Sequence, residues 1–243
     1  MHLYRCDLTL HDYLFFATTE RGKVAETGQF IHNYALAYAL GWARSPWRNQ
    51  VQQPHYPEEM AAVIPTYVTP AALLSGGYLL NQYNTMPETY GLGKAQSIGY
   101  PDWGFIKCFR PGARFRFYVI GPERADFPPF LRLGKFMAKA RLRTEHAVTL
   151  LRGDDACQSD ALLNWDDLTV KPVAFDLIAN ALPTRLVNHA IFPKGHHITG
   201  RFADGGEVFL PLGMGFLAAA EERAFACPAC KQALAQLRAA VHP

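Results

Sequence analysis

Alternating apolar and polar positions predict three β-strands that each bury one face. In residues 1–10, apolar side chains recur at every second position from Tyr4 to Leu10, and polar side chains lie between them. Residues 113–120 alternate in the same way, so that one face carries Arg114, Arg116 and Tyr118. Residues 136–148 predict a third strand, whose polar face carries Lys139, Arg141 and Arg143. Two of the three strands therefore present a row of cations.

Apolar residues with helical spacing predict a helix over residues 30–42. Residues 183–191 have the pattern of a further strand, and residues 216–241 predict a C-terminal helix. His32 and His189 lie within apolar elements, and we expect both to be buried core residues.

The stretch from residue 46 to residue 104 predicts irregular structure, because its seven prolines limit the length of any element. We expect a protruding insertion there, with a two-stranded arm. The 243 residues otherwise fit one domain of ordinary size.

The composition excludes an intrinsically disordered chain, because 49% of the residues are hydrophobic and 19% are charged. The longest charge-free apolar run, over residues 208–220, has 13 residues and is too short to span a bilayer. No basic segment followed by an apolar one, the mark of a secretory signal, is visible at the start. The five cysteines are an odd number in a chain of this length. We therefore expect a reduced, cytoplasmic protein with no membrane association.

Positive charge is concentrated in one part of the chain. Residues 103–144 contain ten basic and two acidic side chains, a net charge of +8, whereas the whole chain carries +3 and the remainder therefore −5. This uneven distribution favours a surface for a polyanion. Same-face residues of a strand are about 6.5–7 Å apart, similar to successive phosphates of one nucleic-acid strand.

Single-stranded RNA fits these strands best, because cations can follow its backbone while Tyr118 or Trp103 stacks on a base. The alternative is a solvated sheet face whose charges only keep the protein soluble. Gly134 beside Lys135 would let an RNA backbone approach closely, although a turn glycine also explains it. The RNA-binding candidates are Lys107, Arg110, Arg114, Arg116, Tyr118, Arg132, Gly134, Lys135, Lys139, Arg141 and Arg143.

Two shorter motifs suggest other chemistry. Cys227 and Cys230 supply half of a zinc ligand set, and the remaining cysteines are isolated in the sequence. His196 and His197 follow Lys194, and a histidine beside a lysine can act as an acid or base on RNA. Neither motif is complete, so we expect no metal site, no cofactor and no catalytic residue.

Four segments, in order, resemble the Cas5-type subunit of type I-D CRISPR interference complexes. They are residues 1–18 (MHLYRCDLTLHD followed by LFFAT), 31–41 (IHNYALAYALG), 67–71 (YVTPA) and 131–140 (LRLGKFMAKA). Together they cover the chain to about residue 145.

The resemblance implies an α+β fold, a modified RRM-like (ferredoxin-like) core with a thumb-like hairpin insertion and a C-terminal α/β portion. Within a single domain of residues 1–243, the core would comprise residues 1–45 and 105–150, the insertion 46–104 and the C-terminal portion 151–243.

The resemblance also implies a function and partners. The protein would be a non-catalytic RNA-binding subunit of an antiviral ribonucleoprotein and would cap the 5′ handle of crRNA. Its partners would be the backbone and large subunits of a type I-D complex, with target DNA contacted only indirectly.

Two alternatives remain open. The first is a metal-independent endoribonuclease that processes CRISPR repeat RNA, with His196, His197 and Lys194 as its catalytic residues. The second is a zinc-bearing adaptor that uses Cys227 and Cys230.

Overall fold

The computed structural model describes residues 1–43, 59–60, 63, 66–85, 102–193 and 197–216. Within these ranges the chain has one named α-helix, α1 (Asn33–Ala39), a short 3-10 helix (Trp165–Asp167) and eighteen strands. In chain order the strands are β1 (His2–Leu10), β2 (Thr19–Arg21), β3 (Val24–Glu26), β4 (Phe30–Ile31), β5 (Tyr67–Val68), β6 (Ala71–Ser75), β7 (Tyr78–Thr85), β8 (Asp102–Phe109), β9 (Arg114–Gly121), β10 (Phe130–Leu133), β11 (Ala138–His146), β12 (Thr149–Gly153), β13 (Cys157–Ser159), β14 (Leu163–Asn164), β15 (Ala174–Ile178), β16 (Leu186–Phe192), β17 (His197–Arg201) and β18 (Glu207–Pro211).

The main sheet has seven strands in the order β10-β11-β1-β9-β6-β4, with β5 also paired to β9. Its pairings are antiparallel, and β1 lies between β9 and β11. The predicted strands over residues 1–10, 113–120 and 136–148 are confirmed as β1, β9 and β11. Phe115 and Phe117 on β9 are completely buried, because their face packs under α1 and forms the largest core.

Helix α1 is shorter than the helix predicted over residues 30–42. Phe30 and Ile31 form β4 and pair with β6, so the helix begins only after them. The ring of His32 accepts a hydrogen bond from the backbone N–H of Tyr34 and caps the first turn. In the described ranges no helix has the length and apolarity needed to span a bilayer.

The described residues are mostly β-structure, which corrects the expected α+β composition. From residue 147 to residue 216 the chain forms β12 to β18 and the 3-10 helix, where an α/β portion was expected. Short strands with polar turns prevail there because apolar runs long enough for a buried helix are missing. The predicted helix over residues 216–241 lies outside the described residues, apart from its first position.

The interval from residue 46 to residue 104 contributes to two sheets. β5 and β6 belong to the main sheet, whereas β7 and β8 pair over eight residues in a separate sheet with β2 and β3. The residues that connect β7 to β8 lie outside the described ranges.

A second core joins the C-terminal strands to the main sheet. Leu3 of β1 faces away from α1 and packs among the apolar side chains of β16 and β18, including Val187 and Leu210. Part of the second face of the main sheet is therefore covered. The strand predicted over residues 183–191 is confirmed as β16.

The two predicted core histidines have different environments. His32 is buried, as predicted. His189 is exposed in β16 with φ +47°, and its Nδ1 lies 2.8 Å from Oδ2 of Asp176. The prediction of a buried His189 was wrong. The positive φ of His189 interrupts the alternation of side chains along β16 that would have turned its ring inward.

A buried polar chain crosses the contact between the main sheet and the C-terminal portion. Its members are His32, Thr184, Asn164, Asn33 and Asp167. The Thr184 hydroxyl, 2.9 Å from His32 Nε2, donates to Oδ1 of Asn164 at 2.7 Å. Asn164 Nδ2 donates to Asn33 Oδ1 at 3.2 Å, and Asn33 Nδ2 donates to Asp167 Oδ2 at 2.7 Å.

Asp167 ends this chain as a fully buried carboxyl group. It also accepts hydrogen bonds from the hydroxyls of Tyr67, at 2.9 Å, and Tyr34, at 3.4 Å. Burial raises the pKa of Asp167 to about 7, although its three donors oppose that shift.

We predict that the free energy of unfolding falls as the pH rises from about 4 to 7. A carboxyl group with a raised pKa binds its proton more tightly in the folded protein, so its stabilisation is complete below its unfolded pKa of 3.8 and is lost towards pH 7. Three pKa units correspond to a loss of up to about 4 kcal/mol. Urea denaturation at pH 4 and pH 7 should show a pH dependence that Asp167→Asn removes.

Asp155→Asn is the matched control, because Asp155 is exposed. It should leave the pH dependence as it is in the unmodified protein. An Asp167→Asn variant with an unchanged pH profile would contradict the prediction.

Candidate nucleic-acid interface

The register of the main sheet gathers six of the predicted cations on the face opposite α1. Cross-strand partners in an antiparallel sheet point to the same side. One row runs across the strands from Arg141 through Thr9 to Arg114, and the next from Arg143 through Asp7 to Arg116. Arg132 lies opposite Lys139 at the end of the sheet. We call this surface the basic face: Arg114, Arg116, Arg132, Lys139, Arg141 and Arg143.

Asp7 neutralises one side of the basic face. Its carboxylate accepts two hydrogen bonds from Arg116, at 2.7 Å from Nε and 2.9 Å from Nη2, and lies 4.0 Å from Arg114. The hydrogen bonds that Arg116 donates to Asp7 raise the pKa of Arg116, and burial partly offsets this shift. Arg141 and Arg143 are exposed and have no ion-pair partner in the part of the chain that the structure describes. The uncompensated charge therefore lies on β11.

An exposed aromatic ring, which the sequence reasoning missed, lies within the basic face. Phe130 of β10 is 42% exposed and pairs with Arg141. Lys139 places its Nζ 4.2 Å from the centre of the Phe130 ring. The alternation along β10 could have revealed this ring. Phe130 and Arg132 lie on one face of the strand, and two buried leucines lie on the other.

Arg132 is held at the end of the hairpin formed by β10 and β11. Its Nη1 donates to the carbonyl of Met137 at 3.1 Å and lies 4.0 Å from Asp12. Arg132 is thus fixed at the edge of the basic face.

Five predicted site residues are not part of the basic face, and three of them are Lys107, Arg110 and Tyr118. Lys107 lies in β8 of the smaller sheet, with Nζ 3.5 Å from Glu26 and 4.7 Å from the centre of the Tyr78 ring. Arg110 is exposed in the turn between β8 and β9. Tyr118 shares the sheet face with Arg116 but packs towards Phe202 of the C-terminal portion, and burial raises its pKa. The side chain of Trp103 lies outside the described residues.

Gly134 and Lys135 form the turn that follows β10. Gly134 has φ +70°, and a Cβ there would lie 2.5 Å from the carbonyl oxygen of Phe15. The backbone N–H of Lys135 donates to the same oxygen at 2.9 Å. The close approach that only glycine permits is therefore made by this chain's own backbone, and the Lys135 side chain is left exposed.

The residues of the two alternative functions are only partly described. His197 begins β17, is 7% exposed and lies against Gly153. Lys194, His196, Cys227 and Cys230 lie outside the described residues. Among those that are described, no three His, Cys, Asp or Glu side chains are grouped to hold a metal ion.

Comparison with known proteins identifies one family. The model of the family described as type I-D CRISPR-associated protein Cas5/Csc1 matches residues 1–219. Comparison with curated proteins gives no significant match.

Two solved structures are similar to this one. A crystal structure of a CRISPR protein from Archaeoglobus fulgidus has 10% sequence identity and a TM-score of 0.39, and the match covers 88% of this chain and 100% of the other. A cryo-EM structure of the type III-B Cmr-beta bound to cognate target RNA and AMPPnP has 9% identity and a TM-score of 0.40, with coverage of 81% and 86%.

We predict that Gly134→Ala destabilises the protein much more than Gly112→Ala. Both glycines have positive φ, but a Cβ at Gly112 meets no atom within 4 Å. Gly112→Ala should lower the free energy of unfolding by about 1 kcal/mol from strain alone. Gly134→Ala should lower it by about 3 kcal/mol, because a backbone clash is added. If denaturant unfolding shows the same loss of stability for Gly134→Ala and Gly112→Ala, the close contact between Gly134 and Phe15 is contradicted.

Proposed function

The chain belongs to the type I-D CRISPR-associated Cas5/Csc1 family, and we propose that it is a non-catalytic RNA-binding subunit of a type I-D antiviral effector complex. In this role it caps the 5′ handle of crRNA and contacts the neighbouring backbone and large subunits. The observation that carries the proposal is the basic face, where six arginine and lysine side chains share one sheet surface beside an exposed phenylalanine.

The geometry of the basic face suits a single strand better than a duplex. Neighbouring strands of a sheet are about 4.8 Å apart and same-face residues of one strand about 6.5–7 Å apart. Arg141 and Arg143 can therefore hold successive phosphates along β11. A base turned towards the sheet would then reach the Phe130 ring, since Arg141 and Phe130 are cross-strand partners.

The main sheet with α1 supports an RRM-like core as the finer description of the fold. In RRM domains an antiparallel sheet packs its helices on one face and binds RNA on the other. Here α1 covers the apolar face and the basic face is opposite. The antiparallel pair of β7 and β8 is the candidate for the thumb.

We predict that the double substitution of Arg141→Ala and Arg143→Ala weakens binding of a CRISPR repeat RNA. Two lost phosphate contacts should lower the slope of log affinity against log salt by about 1.4. The matched control is Arg152→Ala with Arg185→Ala, which removes the same charge from exposed positions in the C-terminal portion. Salt titrations by fluorescence anisotropy should separate the two variants.

Substitution of Asp7 tests the same surface in the opposite direction. Asp7→Asn releases Arg116 and should strengthen RNA binding about fivefold at 0.1 M salt, as expected for one added phosphate contact. If the salt titration of the Arg141→Ala, Arg143→Ala variant overlaps that of the Arg152→Ala, Arg185→Ala control, the RNA binds another surface.

We further predict that purified protein leaves CRISPR repeat RNA intact in the presence of EDTA. The burial of His197 supports a non-catalytic role, because a general base must reach its substrate. Denaturing gel electrophoresis of end-labelled RNA is the measurement. Site-specific cleavage that disappears in the His196→Ala, His197→Ala variant would establish the endoribonuclease instead.

A further inference from the structure

A cavity of about 330 Å³ lies on the α1 side of the main sheet, at the end of the β10–β11 hairpin. The segment that follows β1, helix α1 and the Leu182–Pro183 segment form its walls. Five of its eleven lining residues have aromatic rings, and the exposed Lys135 lies at the mouth. The rings are those of Phe16, Phe30, His32, Tyr34 and Tyr38. Its volume is at the lower end of the range of small-molecule sites.

The floor of the cavity is rigid. His32 Nδ1 accepts the backbone N–H of Tyr34, so its Nε2 carries the proton and donates to Thr184 at 2.9 Å. Both ring nitrogens are thereby engaged, and the tautomer is fixed by the buried polar chain. Phe30 and Tyr34 are buried beside it. These rings offer π-surface and no charge, which suits a flat, uncharged ligand.

The mouth of the cavity is cationic. Lys135 is exposed, and within the described ranges it forms no ion pair. Only two residues separate it from Arg132 of the basic face. A ligand at this mouth would therefore carry a negative group next to its flat part. The turn lies at the edge of the sheet, so a single strand on the basic face would have to pass round this edge to reach the cavity.

We propose that the cavity binds one unstacked nucleobase, with the adjoining phosphate on Lys135. The inference rests on the proposed function, since the base would belong to the single-stranded RNA held by the basic face. An aromatic side chain of a partner protein would fill the aromatic part but would gain nothing from Lys135. The charge at the mouth therefore favours a nucleotide over a protein side chain.

A polar group at the wall can read the edge of the base. The Thr18 hydroxyl accepts the backbone N–H of Gly28 at 3.1 Å and lines the cavity. Among the described residues nothing accepts its hydrogen, so it can donate to a ring nitrogen or carbonyl of the base.

Saturation-transfer NMR on the full chain tests the site with four nucleoside 5′-monophosphates. We expect transfer to the base protons, and competition by neither ribose 5-phosphate nor N-acetyl-tyrosinamide. Lys135→Ala should weaken monophosphate binding at least fivefold and leave binding of the free nucleoside unchanged. Lys23→Ala, at an exposed lysine in the β2–β3 turn, is the control. Equal competition by either probe, or equal behaviour of the two lysine variants, would overturn the proposal.

RNA carrying single abasic positions separates this site from the basic face. One abasic position should cost about tenfold in affinity, and filling the cavity with Ala35→Trp should remove that cost. If RNA binding requires Arg141 and Arg143 but every abasic position is neutral, the cavity proposal is wrong and the proposed function stands. If monophosphates bind the cavity while RNA does not bind at all, the proposed function is wrong and the nucleotide site stands.

Discussion

Strand β1 sets the register on which the rest of the structure depends. Its residues from Tyr4 to Thr9 each face a partner on both β9 and β11. A slip of one residue would turn Leu8 into solvent and Asp7 into the core, so the apolar packing under α1 permits only one alignment. The rows of arginines on the opposite face are a consequence of that alignment.

Position along the sheet, rather than residue type, decides what each of these arginines does. Arg5 lies on the same side of β1 as Asp7 but under the C-terminal portion, where Asp204 and Glu145 bind its guanidinium and Phe202 lies 4.6 Å from it. Arg143, across the strand from Asp7, remains in solvent. One arginine thus joins two layers of the protein, and the other is available to a ligand.

Sequence periodicity predicted the strands and the sharing of one face by Arg141 and Arg143, because a two-residue period is a local property. It could not predict which cations are neutralised. Asp7 and Arg116 are far apart in the sequence and meet only through the register. For the same reason Lys107 belongs to another sheet despite its place in the basic segment. Phe130 was overlooked because four residues give a weak alternation signal.

The buried polar chain from His32 to Asp167 has a consequence for anyone who shortens this protein. A fragment ending at residue 146 would lack Asp167, the acceptor for the buried side chains of Asn33 and Tyr67. Unpaired polar groups of this kind are costly inside a protein. The two parts of the chain therefore stabilise each other, and a split reporter would recover its signal only when both fragments are present and fold together.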